Sequence, residues 1–128
     1  MSAQGPHKIT AEFEKALCDY TGAPYSVAVD NQSNALALCL MREGVRGKTI
    51  SIPERTYPSV PCEIILAGAK VKWIPAEGNT LTGEYQLGGT RIWDSALRFT
   101  ADMYRNGQLQ CISFTGPHNH LKLGKGGA

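Results

Sequence analysis

No stretch of this chain approaches the roughly 20 consecutive apolar residues that a membrane-crossing helix needs. Residues 1–8 are polar with no hydrophobic segment after them, so neither export nor insertion is indicated. Charge of one sign is lacking too. Thirteen Lys and Arg stand against eleven Asp and Glu, and a scattered net charge of +2 argues against nucleic acid or an anionic membrane as partner. Cysteine is sparse: Cys18, Cys39, Cys62 and Cys111 are widely spaced, with no C-x-x-C and no Cys/His cluster of metal spacing. They read as small buried hydrophobes in a reducing compartment, and a cytoplasmic location is expected. Of the three histidines, His118 and His120 would share one face of a strand, but no third ligand lies near and no metal is expected. Repeats and low-complexity segments are absent.

What remains is an ordinary globular composition, 42% hydrophobic and 19% charged over 128 residues, the size of one domain. The apolar spacing predicts alternating helices and strands. Residues 9–20 put Ile9, Phe13, Ala16, Leu17 and Tyr20 on one helical face, with Thr10 as N-cap and Gly22 as stop. Residues 25–29 suit a buried strand, and residues 33–43 a helix apolar enough to be covered on more than one side. A strand over 48–52 ends at Pro53, and a helix over 57–68 carries Pro58 and Pro61 near its start, where proline is tolerated. Residues 70–74 alternate as a half-exposed or edge strand, 77–89 read as loop, and 90–94 as a strand delivering Asp94. Asn106-Gly107 between residues 98–104 and 108–114 predicts a hairpin. The expected class is α/β, an open and mostly parallel sheet flanked by helices, with ligands at the carboxyl ends of its strands.

Four segments there carry candidate chemistry. Gln32-Ser33 opens a helix, whose free amides and hydroxyl form an anion site; Ser33 is equally a plain N-cap serine. Tyr57 precedes a proline at a helix start, where it can stack on a planar ligand or simply pack. Asp94 ends a strand predicted to be buried, where a carboxylate is costly unless it meets a cation. Ser113-Phe114 leads into a His-containing turn and then Gly124-Lys125-Gly126-Gly127.

These segments, in this order, resemble the sugar aminotransferases of the DegT/DnrJ/EryC1/StrS family. Residues 26–36, S-V-A-V-D-N-Q-S-N-A-L, are similar to that family's V-x-S-S-G-T-A-A-L turn, with Ser33 on the Thr and Gln32 on the Gly. Residues 52–60 resemble its P-x-x-T-[aromatic] stretch at Tyr57. Trp93-Asp94-Ser95-Ala96 resembles its D-A/S-A-[Q/H] segment, with Leu97 in place of the Gln or His. The resemblance implies part of a fold-type-I large domain, the small domain being absent. It implies pyridoxal phosphate or pyridoxamine phosphate as cofactor, with Ser33, Gln32 and Ser113 at the phosphate, Tyr57 on the ring and Asp94 on the pyridine nitrogen. It also implies a nucleotide-sugar substrate and a homodimer.

The resemblance fails at the family's cofactor lysine. Counting from Leu121 or the glycines puts Asn119 in its place, and counting from Ser113 puts His118 there. Asparagine cannot form the Schiff base. Histidine matches a branch of the family, the sugar 3-dehydratases, in which it moves protons on the aminated cofactor. The primary expectation is an aminotransferase-like fragment that is truncated and inactive alone. A dehydratase-like protein using His118 and a non-enzymatic binding or assembly module are the alternatives.

Overall fold

A computed structural model describes residues 5–76, 83–115 and 126–128. Its elements are helix α1 (Lys8–Thr21), helix α2 (Gln32–Glu43), strand β1 (Thr49–Pro53), helix α3 (Ser59–Leu66), strand β2 (Lys70–Ile74), and short strands β3 (Tyr85–Gln86), β4 (Ile92–Asp94) and β5 (Leu109–Cys111). β1 pairs parallel with β2, and β4 pairs parallel with β5. β3 runs antiparallel to β4. Single bridges extend this order: Ser51 to Gly88 joins β1 to the end of the β3 segment, and Gly127 bridges both Ser113 and Val29. The result is the expected α/β sheet, parallel in its main pairs, with one antiparallel segment in its middle.

The helices form for local reasons and stop at glycines. α1 ends at Gly22, whose φ of 80° closes the helix through its N–H to the Cys18 carbonyl, a left-handed cap that a side chain would strain. α2 begins at Asn31, whose side-chain oxygen accepts from the Asn34 amide. α3 takes Pro58 as its N-cap and Pro61 in its first turn, where no intrahelical donor is lost.

The main core lies between α2, α3 and the sheet: Leu36, Leu40, Ile50, Ile52, Val60, Ile64, Leu87, Ile92 and Cys111 are buried together. A second cluster of Leu17, Met103, Ile112 and Phe114 joins α1 to the sheet's far end, with Phe114 edge-on to both Phe13 and Phe99 at 5.6 Å.

Several sequence expectations yield to packing. Ile9 is 78% exposed and Thr10 caps nothing; α1 starts after His7 and buries chiefly Leu17 and Thr21. Residues 25–29 are not a buried strand: Tyr25 is 87% exposed, and only Val29 bridges. α2 is covered on one side, Leu38 and Met41 facing outward. Tyr85 and Gln86, read as loop, are strand β3. The Asn106-Gly107 hairpin does not form, because its first arm is committed elsewhere. The Asp102 and Tyr104 amides donate to the Tyr20 and Thr21 carbonyls at 2.9 and 3.0 Å, Phe99 packs on Tyr20, and β5 pairs with β4 instead.

Gly127 is where the chain leaves no room. A Cβ there would lie 2.7 Å from the Gln32 nitrogen and 2.8 Å from the Ile112 carbonyl oxygen. Gly127→Ala is therefore expected to cost about 1–3 kcal/mol, the range of overpacking, read as a lower urea midpoint; an unchanged midpoint would show that this backbone yields freely.

Candidate functional site

Asp94 ends β4 in the core, 5% exposed, and its carboxylate is held by the chain itself. The Gln32 side-chain amide donates to Oδ1 at 2.8 Å and the Ala96 backbone N–H to the same oxygen at 3.0 Å. The Tyr85 hydroxyl donates to Oδ2 at 3.1 Å, and Thr56 hydrogen-bonds the Tyr85 oxygen in turn. These groups come from four places: the first residue of α2, the turn after β1, strand β3, and the end of β4.

Burial pushes the Asp94 carboxyl above its usual range, and the hydrogen bonds from Ala96, Tyr85 and Gln32 pull against that without cancelling it. Burial also drives the Tyr85 phenol far up, with the Asp94 charge adding to the effect. Tyr85 therefore stays a protonated donor. Among the described residues no cation touches Asp94; its neighbours there are an amide, a phenol and a backbone N–H.

The other candidates lie around this centre. Ser33 Oγ donates to Ser59 Oγ at 2.8 Å, linking the starts of α2 and α3. Tyr57 sits just before α3 with its side chain 71% exposed. Ser113 lies beyond β5, bridged to Gly127, and its hydroxyl accepts from the Thr115 amide at 3.2 Å. Gln32 and Asp94 are thus in direct contact, while Ser33 turns to Ser59. His118 and Asn119 lie outside the described residues, as do His120, Lys122 and Lys125. Among the described residues no group of three or more His, Cys, Asp or Glu could hold a metal, and no helix is long and apolar enough to cross a membrane.

Sequence reasoning missed Tyr85, Thr56 and Ser59. A period-two signal was present for Tyr85: Tyr85 and Leu87 point inward around exposed Gln86, a strand pattern hidden by the glycines on either side.

The sequence profile of the DegT/DnrJ/EryC1/StrS aminotransferase family matches residues 2–86, more than half of the chain. The chain belongs to that family. Its similar relatives include UDP-4-amino-4,6-dideoxy-N-acetyl-beta-L-altrosamine transaminase of Campylobacter jejuni, 30% identical over 76 residues, a stretch covering 59% of this chain and 20% of that enzyme. GDP-perosamine synthase of Caulobacter vibrioides is 33% identical over 63 residues, covering 48% of this chain and 17% of the synthase. A putative PLP-dependent aminotransferase from Bacillus cereus ATCC 10987 shares the fold with a TM-score of 0.69 at 18% identity, over 96% of this chain and 45% of that one. The matched stretches thus span about a fifth of the curated relatives, and the chain spans under half of the structural neighbour.

The family implies pyridoxal phosphate as cofactor, and among the described residues the acid that would face it already accepts from three donors of this chain. A carboxylate offers about four acceptor sites, and three on Asp94 are filled by Gln32, Ala96 and Tyr85. Among the described residues one acceptor site on Asp94, on Oδ2 beside the Tyr85 hydroxyl, is left for a ring nitrogen. Gln32 stands where the family has glycine, and its amide runs from the start of α2 to the acid.

The buried acid gives this arrangement a pH signature. A carboxyl whose pKa is raised on folding stabilises the folded state most at low pH, and that contribution is lost as pH rises from the ordinary value of about 3.9 through the higher folded value. Asp94→Asn should remove this loss. The stability of the natural chain relative to the variant is expected to fall with rising pH across that window and then level off; a difference that rises with pH in urea titrations would reverse the assignment.

Proposed function

We propose that this chain is a sugar-aminotransferase relative that does not itself carry out transamination. One observation carries the reading: the acid that would hold a pyridine nitrogen is instead hydrogen-bonded by Gln32 and Tyr85 of the same chain. The sequence adds the second support, since His118 and Asn119 offer no primary amine at the two positions that align with the cofactor lysine. By relationship, a longer protein carrying this segment would act on a nucleotide-linked amino sugar.

Incubation with pyridoxal phosphate is expected to give no new visible absorbance and no borohydride-fixed adduct on residues 118–122. An adduct at Lys122, located by mass spectrometry, would sink the reading. The internal occupant can also be removed. Gln32→Ala frees a second acceptor site on the carboxylate, on the Oδ1 that still accepts from Ala96, and a charge-assisted hydrogen bond of about 1.5–3 kcal/mol then becomes available to a ligand. Pyridoxamine phosphate should bind the variant roughly tenfold or more tightly than the natural chain by calorimetry, with inorganic phosphate unchanged. Equal affinities for pyridoxamine phosphate in the two proteins would mean that Gln32 is no obstacle.

We also propose self-association as a homodimer. Leu38 and Met41 on α2 and Ile65 and Leu66 on α3 are exposed apolar side chains on neighbouring helices, the kind of surface that pairs in water. Light scattering at high concentration is expected to show a dimer mass; a monomer throughout would refute this.

A further inference from the structure

We propose that Cys39 and Cys111 are an oxidisable dithiol, which small apolar hydroperoxides convert to a disulfide joining α2 to β5. The two sulfurs lie 3.6 Å apart, and the Cys111 thiol donates its hydrogen to the Cys39 sulfur. No other pair of cysteine sulfurs is in hydrogen-bond contact among the described residues. Closing this gap to the S–S length of about 2 Å is within reach of side-chain rotation.

The two thiols differ in the way a two-step oxidation needs. Cys39 is partly exposed and Cys111 is buried at the end of β5, and both line an apolar cavity of about 280 Å³. Val29, Leu38, Leu109 and Ile112 share that lining, so the walls suit an alkyl hydroperoxide better than a polar one. The hydrogen bond from Cys111 pulls the Cys39 thiol below its ordinary range, while the same bond and burial push Cys111 up. Cys39 is thus the nucleophile and Cys111 the resolving thiol. In the first step the Cys39 sulfur attacks the terminal peroxide oxygen, the O–O bond breaks, and an alcohol leaves with the thiol proton, giving a sulfenic acid. In the second the Cys111 sulfur attacks the sulfenic sulfur, its proton leaves with the hydroxyl as water, and the disulfide forms. The hydroperoxide is reduced and the two thiols are oxidised.

The position gives the bond a consequence. Cys111 is the register partner of Asp94, and its carbonyl accepts from the Ser95 amide at 2.9 Å. Cys39 lies on the helix whose first residue, Gln32, holds Asp94. Oxidation would lock the two supports of the acid together.

The test is thiol mapping of the folded chain after treatment with tert-butyl hydroperoxide or hydrogen peroxide, followed by alkylation, digestion and mass spectrometry. A peptide linking Cys39 to Cys111 is expected, with Cys18 still alkylated. In Cys111→Ser a dimedone-type probe should label Cys39, whereas Cys39→Ser should leave Cys111 reduced. The alkyl peroxide should outpace hydrogen peroxide at Cys39 relative to exposed Cys62; equal preference at both sites would remove the cavity from the proposal. Cys39 and Cys111 both remaining alkylatable at a dose that oxidises Cys62 would overturn the dithiol altogether. The map of the natural chain decides this even if a serine variant fails to fold.

Discussion

A buried carboxylate that meets no cation among the described residues is the constraint around which this fold is arranged. Taking Asp94 out of water is affordable only if its oxygens are met by donors, and the chain supplies them from segments far apart in sequence: Gln32 from α2, Tyr85 from β3, and Ala96 from the turn after β4. Each donor fixes an element. Gln32 ties the start of α2 to the end of β4, and Tyr85 holds the antiparallel β3 beside it. Thr56, bonded to Tyr85, brings in the turn after β1.

Glu84, the residue before β3, is the second buried acid and is satisfied differently. It accepts from Arg105 at 2.6 Å and from the Ser95 hydroxyl at 3.0 Å, and Arg98 lies 3.8 Å away. Breaking such a cluster by losing one partner costs far more than the pair contributes. The difference between the acids is informative: Glu84 meets guanidinium, while Asp94, on the neighbouring strand, meets only neutral donors among the described residues. Glu84 thereby anchors residues 98–105 to the sheet, and this is one reason their backbone is not spent on a hairpin.

The parts legible in the sequence are those set by local chemistry. Gly22 closes a helix, Pro58 opens one, and Val71 and Trp73 alternate with lysines on an edge strand. The family pattern around Gln32-Ser33 and Tyr57, within the residues that the family profile matches, was legible as well, because such a pattern is local. What was not legible depends on contacts across the chain. Nothing in Asn106-Gly107 says that Tyr104 will donate to Thr21, and Tyr25 and Val27 look like a buried strand until nothing covers them. The Gln32 to Asp94 bond joins residues 62 apart; from sequence, Gln32 appears only as an awkward replacement for glycine near a phosphate.

Gln32 also bears on how a fold of this kind could outlast a cofactor site. A cofactor that supplies a ring N–H to a buried acid contributes to folding as well as chemistry, since whatever binds the folded state alone stabilises it. A chain without that ligand must satisfy the acid from within or lose it. Replacing the acid by an apolar residue would take the acceptor from the Gln32 amide and leave the Tyr85 hydroxyl with Thr56 alone. Keeping Asp94 and turning a glutamine amide onto it leaves every group paired and preserves the joint between α2 and β4. An acid held in this way serves the architecture, and its presence alone is not evidence of cofactor chemistry.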